Sequence, residues 1–361
     1  MLYFQPRFTM SQPAVRVRFG PGVRRETGVE IERLGCARAA ILSTPGKSGM
    51  AEELASDIGR LAAGITPMAQ MHTPVSATEE ALREIERTGA DCLVAIGGGS
   101  TIGLGKALAL RTGLPQIVLP TTYAGSEATP VLGQTEGGQK ITITDPRVQP
   151  RVVLYDAELV CSLPATVTVA SAFNGMAHAV EGLYARDRNP ISTLFAIEGL
   201  RAFRTALPAI YEDPQDLQAR GETLFGAWLC GTVLGQVGMA LHHKLCHVLG
   251  GSFDLPHAET HSVMLPYTVA YNAGAAGLLL DPAREIFETD DIGRALAAFA
   301  SEMGAPRSLS ALGIKEDDLE SAADIAMEAQ YWNPRPLMHD EILRLLRSAW
   351  AGDLPTENAR I

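Results

Sequence analysis

Asp91-Cys-Leu-Val-Ala-Ile-Gly-Gly-Gly-Ser100 is the stretch that decides how the first half of this chain folds. Asp91 to Ile96 is short and almost wholly apolar, which predicts a strand buried on both faces. A glycine run follows, and then an Ala/Leu-rich helical pattern through Leu110. Glycines at such a turn let the backbone approach a pyrophosphate, and the next helix offers unpaired N–H groups and its positive dipole end. Lys106 is followed by Ala107 rather than Ser or Thr, and the spacing is wrong for a Walker loop. Gly97, Gly98, Gly99 and Ser100 therefore predict a dinucleotide site rather than a nucleoside triphosphate site.

The same alternation extends on both sides. Ala39–Ser43 reads as a strand followed by a helix from Met50 to Ala63, and Ile65–Met71 as a strand followed by a helix from Thr78 to Thr88. Gln116–Leu119 and Val152–Tyr155 read as further strands. Strands alternating with helices predict a parallel sheet with flanking helices, an α/β dinucleotide-binding domain over residues 1–160. Within it, Pro120-Thr-Thr-Tyr-Ala-Gly-Ser-Glu-Ala-Thr-Pro130 holds more hydroxyls than a linker needs. That density marks a cofactor-lining loop carrying Thr121, Thr122, Tyr123 and Ser126. Lys140 is a candidate partner for a ribose or phosphate. From about Pro164 the strand pattern gives way to helical periodicity, so residues 161–361 are expected to be all-α.

Composition narrows the classes. A length of 361 residues accommodates two cores, and a charged fraction of 20% is that of an ordinary globular protein. The opening Met-Leu-Tyr-Phe-Gln resembles the remnant of a cleavable tag, so about ten residues are set aside from fold reasoning. No basic segment followed by an apolar one starts the chain, and no run of about 18 apolar residues reads as a membrane span. A net charge of −11 argues against nucleic acid as a partner. Five cysteines without paired spacing read as reduced thiols of a cytoplasmic protein.

The helical half carries the chemistry. His242, His243, His247, His257 and His261 fall within twenty residues, and His178 lies upstream in Ala172-Phe-Asn-Gly-Met-Ala-His-Ala-Val-Glu181, in a chain of eight histidines. Asn174 and His178 share one face of a helix predicted over Thr168–Ala185, and His243 and His247 share a face of a second. Gly250-Gly251 is expected to end that second helix, and Pro256 to introduce the next. Three imidazoles from separate helices suit Zn or Fe. Divalent sites usually add a carboxylate or thiolate, and Asn174 supplies only a neutral amide.

These motifs together resemble the iron-containing alcohol dehydrogenase family over nearly the whole chain, from about Arg16 to Asn333-Pro-Arg-Pro336 and beyond. The resemblance implies a dehydroquinate synthase-like fold, pyrophosphate on Gly97–Ser100, and the nicotinamide side of NAD(P) along Pro120–Thr129. It places the family's Asp, His, His, His metal ligands on Asn174, His178, His243 and His257, and a histidine near the nicotinamide on His247. Thr121-Thr-Tyr-Ala-Gly-Ser-Glu127, Asn174 with Ala177-His-Ala-Val-Glu181, Leu241-His-His243 and Pro256-His-Ala-Glu-Thr-His261 look like the branch that reduces maleylacetate. His72-Thr-Pro-Val75 and Asn333-Pro-Arg-Pro336 fit the same branch.

The resemblance implies reduction of the carbon–carbon double bond of maleylacetate to 3-oxoadipate during aromatic breakdown, by a homodimer. Conjugate reduction sends charge to a distant ketone oxygen, where a hydrogen-bond donor or a protonated imidazole suffices. On this reading no metal is expected, and His178, His243 and His257 bind substrate and donate protons, with His243 the leading general acid. Asn174, His242, His261, Lys244 and Tyr123 are expected to contact the dicarboxylate, and Arg335 to clamp a carboxylate or cap a helix pair. Ser43-Thr44-Pro45 follows the strand that should meet the adenine ribose. It has neither an acid to repel a 2′-phosphate nor an Arg to pair with one, so NADH is expected with NADPH tolerated. Two rivals remain. One is an alcohol or aldehyde dehydrogenase with Fe or Zn on His178, His243 and His257. The other is a metal-dependent cyclase of the dehydroquinate synthase group, against which the sparse basic residues weigh.

Overall fold

The structure, a computed structural model, describes residues 7–10, 13–137, 139–328 and 331–356, leaving out the side chains of Gln139 and Lys140. Residues 1–6 of the tag-like opening, and Lys140 as a cofactor contact, thus lie outside what is described. Two compact units make up the chain. One holds residues 11–163 together with Gln215–Leu224, and the other holds Pro164–Pro214 and the chain from Phe225 onward. The ten-residue stretch Gln215–Leu224 belongs with the N-terminal unit although it lies beyond residue 160.

The first unit alternates strands and helices. β1 is Arg16–Phe19, α1 Thr27–Arg33, β2 Ala39–Leu42, α2 Ser48–Ile58, β3 Ala62–Thr66, α3 Val75–Thr88, β4 Cys92–Gly97, α4 Gly99–Thr112 and β5 Gln116–Pro120. A hairpin of β6 Val131–Glu136 and β7 Gln139–Thr144 precedes β8 Val152–Tyr155. Six strands form one parallel sheet in the order β1-β8-β5-β4-β2-β3. Side chains alternate between faces, so Ile41, Val94, Ile96, Ile117 and Leu119 fill one core layer while Ala40, Leu42, Leu93, Ala95 and Val118 fill the other. Burial on both faces explains why these strands read as continuous apolar runs.

Several boundaries differ from the sequence reading. β3 ends at Thr66 rather than Met71, because Pro67 has no N–H with which to extend the ladder. α3 starts at Val75 rather than Thr78; extended Pro74 caps it, and the Thr78 hydroxyl bonds back to the Pro74 carbonyl at 3.2 Å. The β6–β7 hairpin is an element the sequence reading did not include.

The second unit is helical: α5 Ala165–Tyr184, α6 Pro190–Glu212, α7 Leu217–Gln236, α8 Leu241–Ser252, α9 His257–Ala276, α10 Asp281–Phe287, α11 Ile292–Glu302, α12 Asp318–Glu328 and α13 His339–Ala351. Of these, the first turns of α7 belong to the other unit. α8, α9, α12 and α13 share a core that includes Leu245, Leu249, Met264, Leu319, Ile342 and Leu346. Gly250 and Gly251 do not stop α8, which runs to Ser252; Asp254, at φ 55°, makes the reversal instead. The helical run His257–Glu302 is long and, by mean hydropathy, apolar enough to cross a bilayer, although it holds no unbroken run of about 18 apolar residues. Yet 72% of its most apolar stretch is buried in the protein, as befits a core helix.

Candidate active site

In the first unit, the Gly97–Ser100 turn sits at the carboxyl end of β4, where ligands of open parallel sheets bind. A Cβ at Gly98 would lie 2.8 Å from Thr122 Cγ2, so any larger residue here would have to displace the Thr122 side chain. A Cβ at Gly97 would meet Thr101 Oγ1 at 2.3 Å. Gly98 precedes α4, and no side chain caps that helix. Its first turn therefore offers backbone donors to an anion. This cradle fits a dinucleotide pyrophosphate.

Thr121 is buried beside it, with its N–H on the Gly97 carbonyl at 3.0 Å, while Thr122 and Ser126 are half-buried. Two expected contacts are corrected. Tyr123 is fully buried and shares a 3.3 Å hydrogen bond with Arg220, so it packs the unit rather than meeting substrate. Ser43 is buried at the end of β2, leaving half-buried Thr44 and exposed Pro45 as the residues of that turn open to a ligand.

Lys106 was noted in the sequence only for failing a Walker pattern. It is in fact fully buried, with Nζ 2.6 Å from the Ser126 carbonyl, 2.8 Å from that of Thr129, 2.7 Å from that of Val131 and 2.9 Å from Thr129 Oγ1. Burial pulls its pKa down to about 7, while the Glu127 carboxylate works against that. Every neighbour at hydrogen-bond distance is an oxygen acceptor, so the ammonium is the form that satisfies them.

The second unit brings the histidines together. His178 from α5 stacks on His243 from α8, with centroids 4.9 Å apart. His257 and His261 from α9 lie 4.5 Å apart, and His261 is 5.1 Å from His243. His247 is exposed, 6.3 Å from both His243 and His257. Lys244 is half-buried one residue along α8.

Four polar atoms of this cluster, Asn174 Oδ1, His178 Nδ1, His243 Nε2 and His261 Nε2, are buried without a hydrogen-bond partner among the described residues. Orphaned buried polar atoms are rare, and four in one cluster mark a place built for a polar ligand.

The sequence reading missed Glu181. Asn174, His178 and Glu181 are spaced i, i+4 and i+7 on α5 and so share a face. The Glu181 carboxylate accepts from the N–H groups of Ala240 at 2.9 Å and His242 at 2.8 Å, and from His243 Nδ1 at 2.6 Å. An anion at the start of α8 suits the helix dipole, and its bond to Nδ1 leaves Nε2 of His243 for a ligand. An acid on an otherwise apolar helix, one turn from His178, was the available signal.

His242 is corrected from substrate contact to support. It is fully buried, with Nδ1 3.1 Å from Thr268 Oγ1, Nε2 2.8 Å from His261 Nδ1 and Cys246 Sγ 3.6 Å away. The ligand atoms of His242, Cys246 and His261 lie within 4.8 Å of one another, but the short N···N hydrogen bond already accounts for their closeness. Burial, reinforced by the neighbouring imidazoles, holds His178, His242 and His261 well below the usual histidine range, so all three are neutral.

Of the two readings of Arg335, the structure favours the one that ties helices together. Its guanidinium lies over the Tyr271 ring at 4.2 Å and binds Glu341 at 2.8 Å, so the carboxylate it clamps is the protein's own. Asn333 pairs its amide with that of Asn272 and meets the Leu241 N–H at 3.4 Å, tying down the start of α8.

The iron that the resemblance implies fits this donor set poorly. Asn174 and the imidazoles are neutral, and the neighbouring carboxylate, Glu181, is spent on two N–H groups and His243.

Residues 14–157 match the family model described as iron-containing alcohol dehydrogenase, and residues 168–350 match the C-terminal model of the Fe-containing alcohol dehydrogenase family. A maleylacetate reductase from Rhizobium sp. (strain MTP-10005) is 54% identical over 97% of this chain and 99% of its own. The crystal structure of maleylacetate reductase from Agrobacterium tumefaciens superposes with a TM-score of 0.94 at 53% identity, covering 97% of this chain and all of that one. A crystal structure from Ralstonia eutropha JMP134, provisionally described as an alcohol dehydrogenase, reaches 0.96 at 50% identity with the same coverage. With both halves matched and relatives aligned nearly end to end, this chain belongs to the iron-containing alcohol dehydrogenase family.

Proposed function

We propose that this chain reduces the carbon–carbon double bond of maleylacetate to 3-oxoadipate with a reduced nicotinamide cofactor. The carrying observation is the set of four unpartnered atoms on Asn174, His178, His243 and His261, unaccompanied by a free carboxylate. Such a set awaits a polar ligand, and it lacks the free carboxylate that divalent metal sites usually add. Its likeness to maleylacetate reductases points the same way.

Gly97, Gly98, Gly99, Ser100, Thr121, Thr122 and Ser126 hold the cofactor, with Lys140 as a further contact read from the sequence and His247 as one carried over from the family resemblance. NADH, when bound, supplies a hydride. Hydride addition beside the carboxylate moves an electron pair onto the ketone oxygen of the substrate, where His243 then acts. His243, fixed by Glu181 with Nε2 toward the ligand, hydrogen-bonds the developing enolate and donates the proton that completes the reduction. Neutral His178 and the Asn174 amide orient the substrate, with His257, His261 and Lys244 beside them. NADPH is tolerated, because Ser43-Thr44-Pro45 carries no acid to exclude a 2′-phosphate.

We further place the enzyme in the cytoplasm, where five free cysteines stay reduced, as a homodimer acting on a small dicarboxylate and not on nucleic acid or membrane. The test is NADH oxidation with maleylacetate before and after exhaustive chelation. Full activity with less than about 0.1 metal per subunit is expected, far below the stoichiometric ion of a metal-activated mechanism. Turnover of simple alcohols that depends on stoichiometric Fe or Zn would instead make this a metal-dependent alcohol dehydrogenase.

A further inference from the structure

We propose that Lys106 is a tethered monovalent cation that shapes the loop Thr121–Val131 into its cofactor-receiving form. It is a positioning residue, resting on the reading of that loop as cofactor-lining. Three backbone carbonyls and one hydroxyl surround Nζ between 2.6 and 2.9 Å. Backbone carbonyls gathered in this way are how proteins replace the water shell of a small monovalent cation. Here the cation is delivered on a side chain.

The arrangement is built rather than incidental. Thr129 Oγ1 donates to the Ser126 carbonyl at 3.1 Å, which turns its lone pairs toward the ammonium. Glu127, between these ligands, is buried and accepts from the Tyr155 hydroxyl at 2.9 Å, so the charge of the loop is also fixed internally. Lys106 lies on α4, whose first turn forms the glycine cradle, and its ligands lie on the segment that follows Thr121 and Thr122. One ammonium thus couples the pyrophosphate cradle to the hydroxyl loop.

K106M, which keeps the stem and removes the charge, should raise the Kd and KM for NADH by about tenfold, with kcat at saturation changed less than about threefold. K106A should show the same loss. Propylammonium, which replaces the missing atoms and charge, should restore it, and propanol should not. T129V removes one of four acceptors with less risk to folding, and should give a smaller loss in the same direction. Amide exchange of the 121–131 peptides should quicken in K106A and slow again with propylammonium.

Unchanged NADH affinity in K106M and T129V, or rescue by propanol as good as by propylammonium, would overturn the proposal. If the wild-type enzyme binds no NADH, the cofactor reading fails by itself. Amide exchange then decides the cation role: protection by propylammonium upholds it, and its absence refutes it.

Discussion

Glu181 Oε2 and His243 Nδ1 meet at 2.6 Å from two different helices, and the same carboxylate accepts the N–H groups of Ala240 and His242 at the start of α8. One side chain therefore both anchors the histidine helix and chooses which nitrogen of His243 carries the fixed proton. Position and protonation are coupled.

E181Q separates these roles from cofactor binding. A glutamine has one acceptor oxygen, so either Ala240 or His242 loses its partner and His243 Nδ1 faces an amide donor. We expect kcat to fall by about 10²-fold and stability by about 1–3 kcal/mol. The KM for NADH should stay within about twofold, since no contact of the nicotinamide loop is touched. Steady-state kinetics with a urea titration reads both, and an undiminished kcat would remove His243 from the chemistry.

N174D restores the anionic ligand that the cluster lacks. Metal content by elemental analysis should rise toward one per subunit after loading with Fe or Zn, while kcat/KM for maleylacetate falls at least about tenfold because a carboxylate now faces a dianion. No uptake together with full activity would mean that Asn174 does not govern the site.

Acid should unfold this protein in a defined window. His178, His242 and His261 are held neutral in the folded state, whereas in the unfolded chain they titrate near the ordinary value of about 6.5. The unfolded state therefore binds more protons below that pH, so stability is level above about 6.5 and falls as pH drops beneath it. With three such groups the slope approaches about 4 kcal/mol per pH unit. Denaturant melts between pH 8 and 5 should show it, and a flat profile would mean these rings charge without penalty.

G98A tests the cradle. The new Cβ would stand 2.8 Å from Thr122 Cγ2 and push the two loops apart. NADH affinity should drop by about tenfold with the melting temperature nearly unchanged. An unaltered Kd would place the pyrophosphate elsewhere.

The fold was legible where periodicity and burial agree. Asp91–Ile96 and its glycines could be read as strand and turn because both faces of β4 are covered. β6 and β7 were not, since a two-stranded ribbon rich in Gly, Gln and Thr offers few apolar residues to announce it. The histidines could be counted but not aimed: His242 and His243 are adjacent on α8, roughly 100° apart around its axis, and one supports what the other presents. Tyr123 and Ser43 are polar residues of the right segment whose side chains turn inward. Glu181 was invisible as a partner because its meaning lies in backbone groups 59 and 61 residues away.

Thr268 and His261 belong to the same helix, and the path between their side chains leaves α9 for His242 on α8 and then returns. The Thr268 hydroxyl donates to carbonyls of its own helix, those of Met264 and Leu265. It must then accept a hydrogen bond from the N–H at His242 Nδ1, which leaves His242 Nε2 to accept one from the N–H at His261 Nδ1. With both rings neutral, His261 is left with a bare lone pair on Nε2. The backbone of α9 thus dictates, through a neighbour, which end of its own histidine is basic. The polarity of that ring is inherited from the direction of a helix.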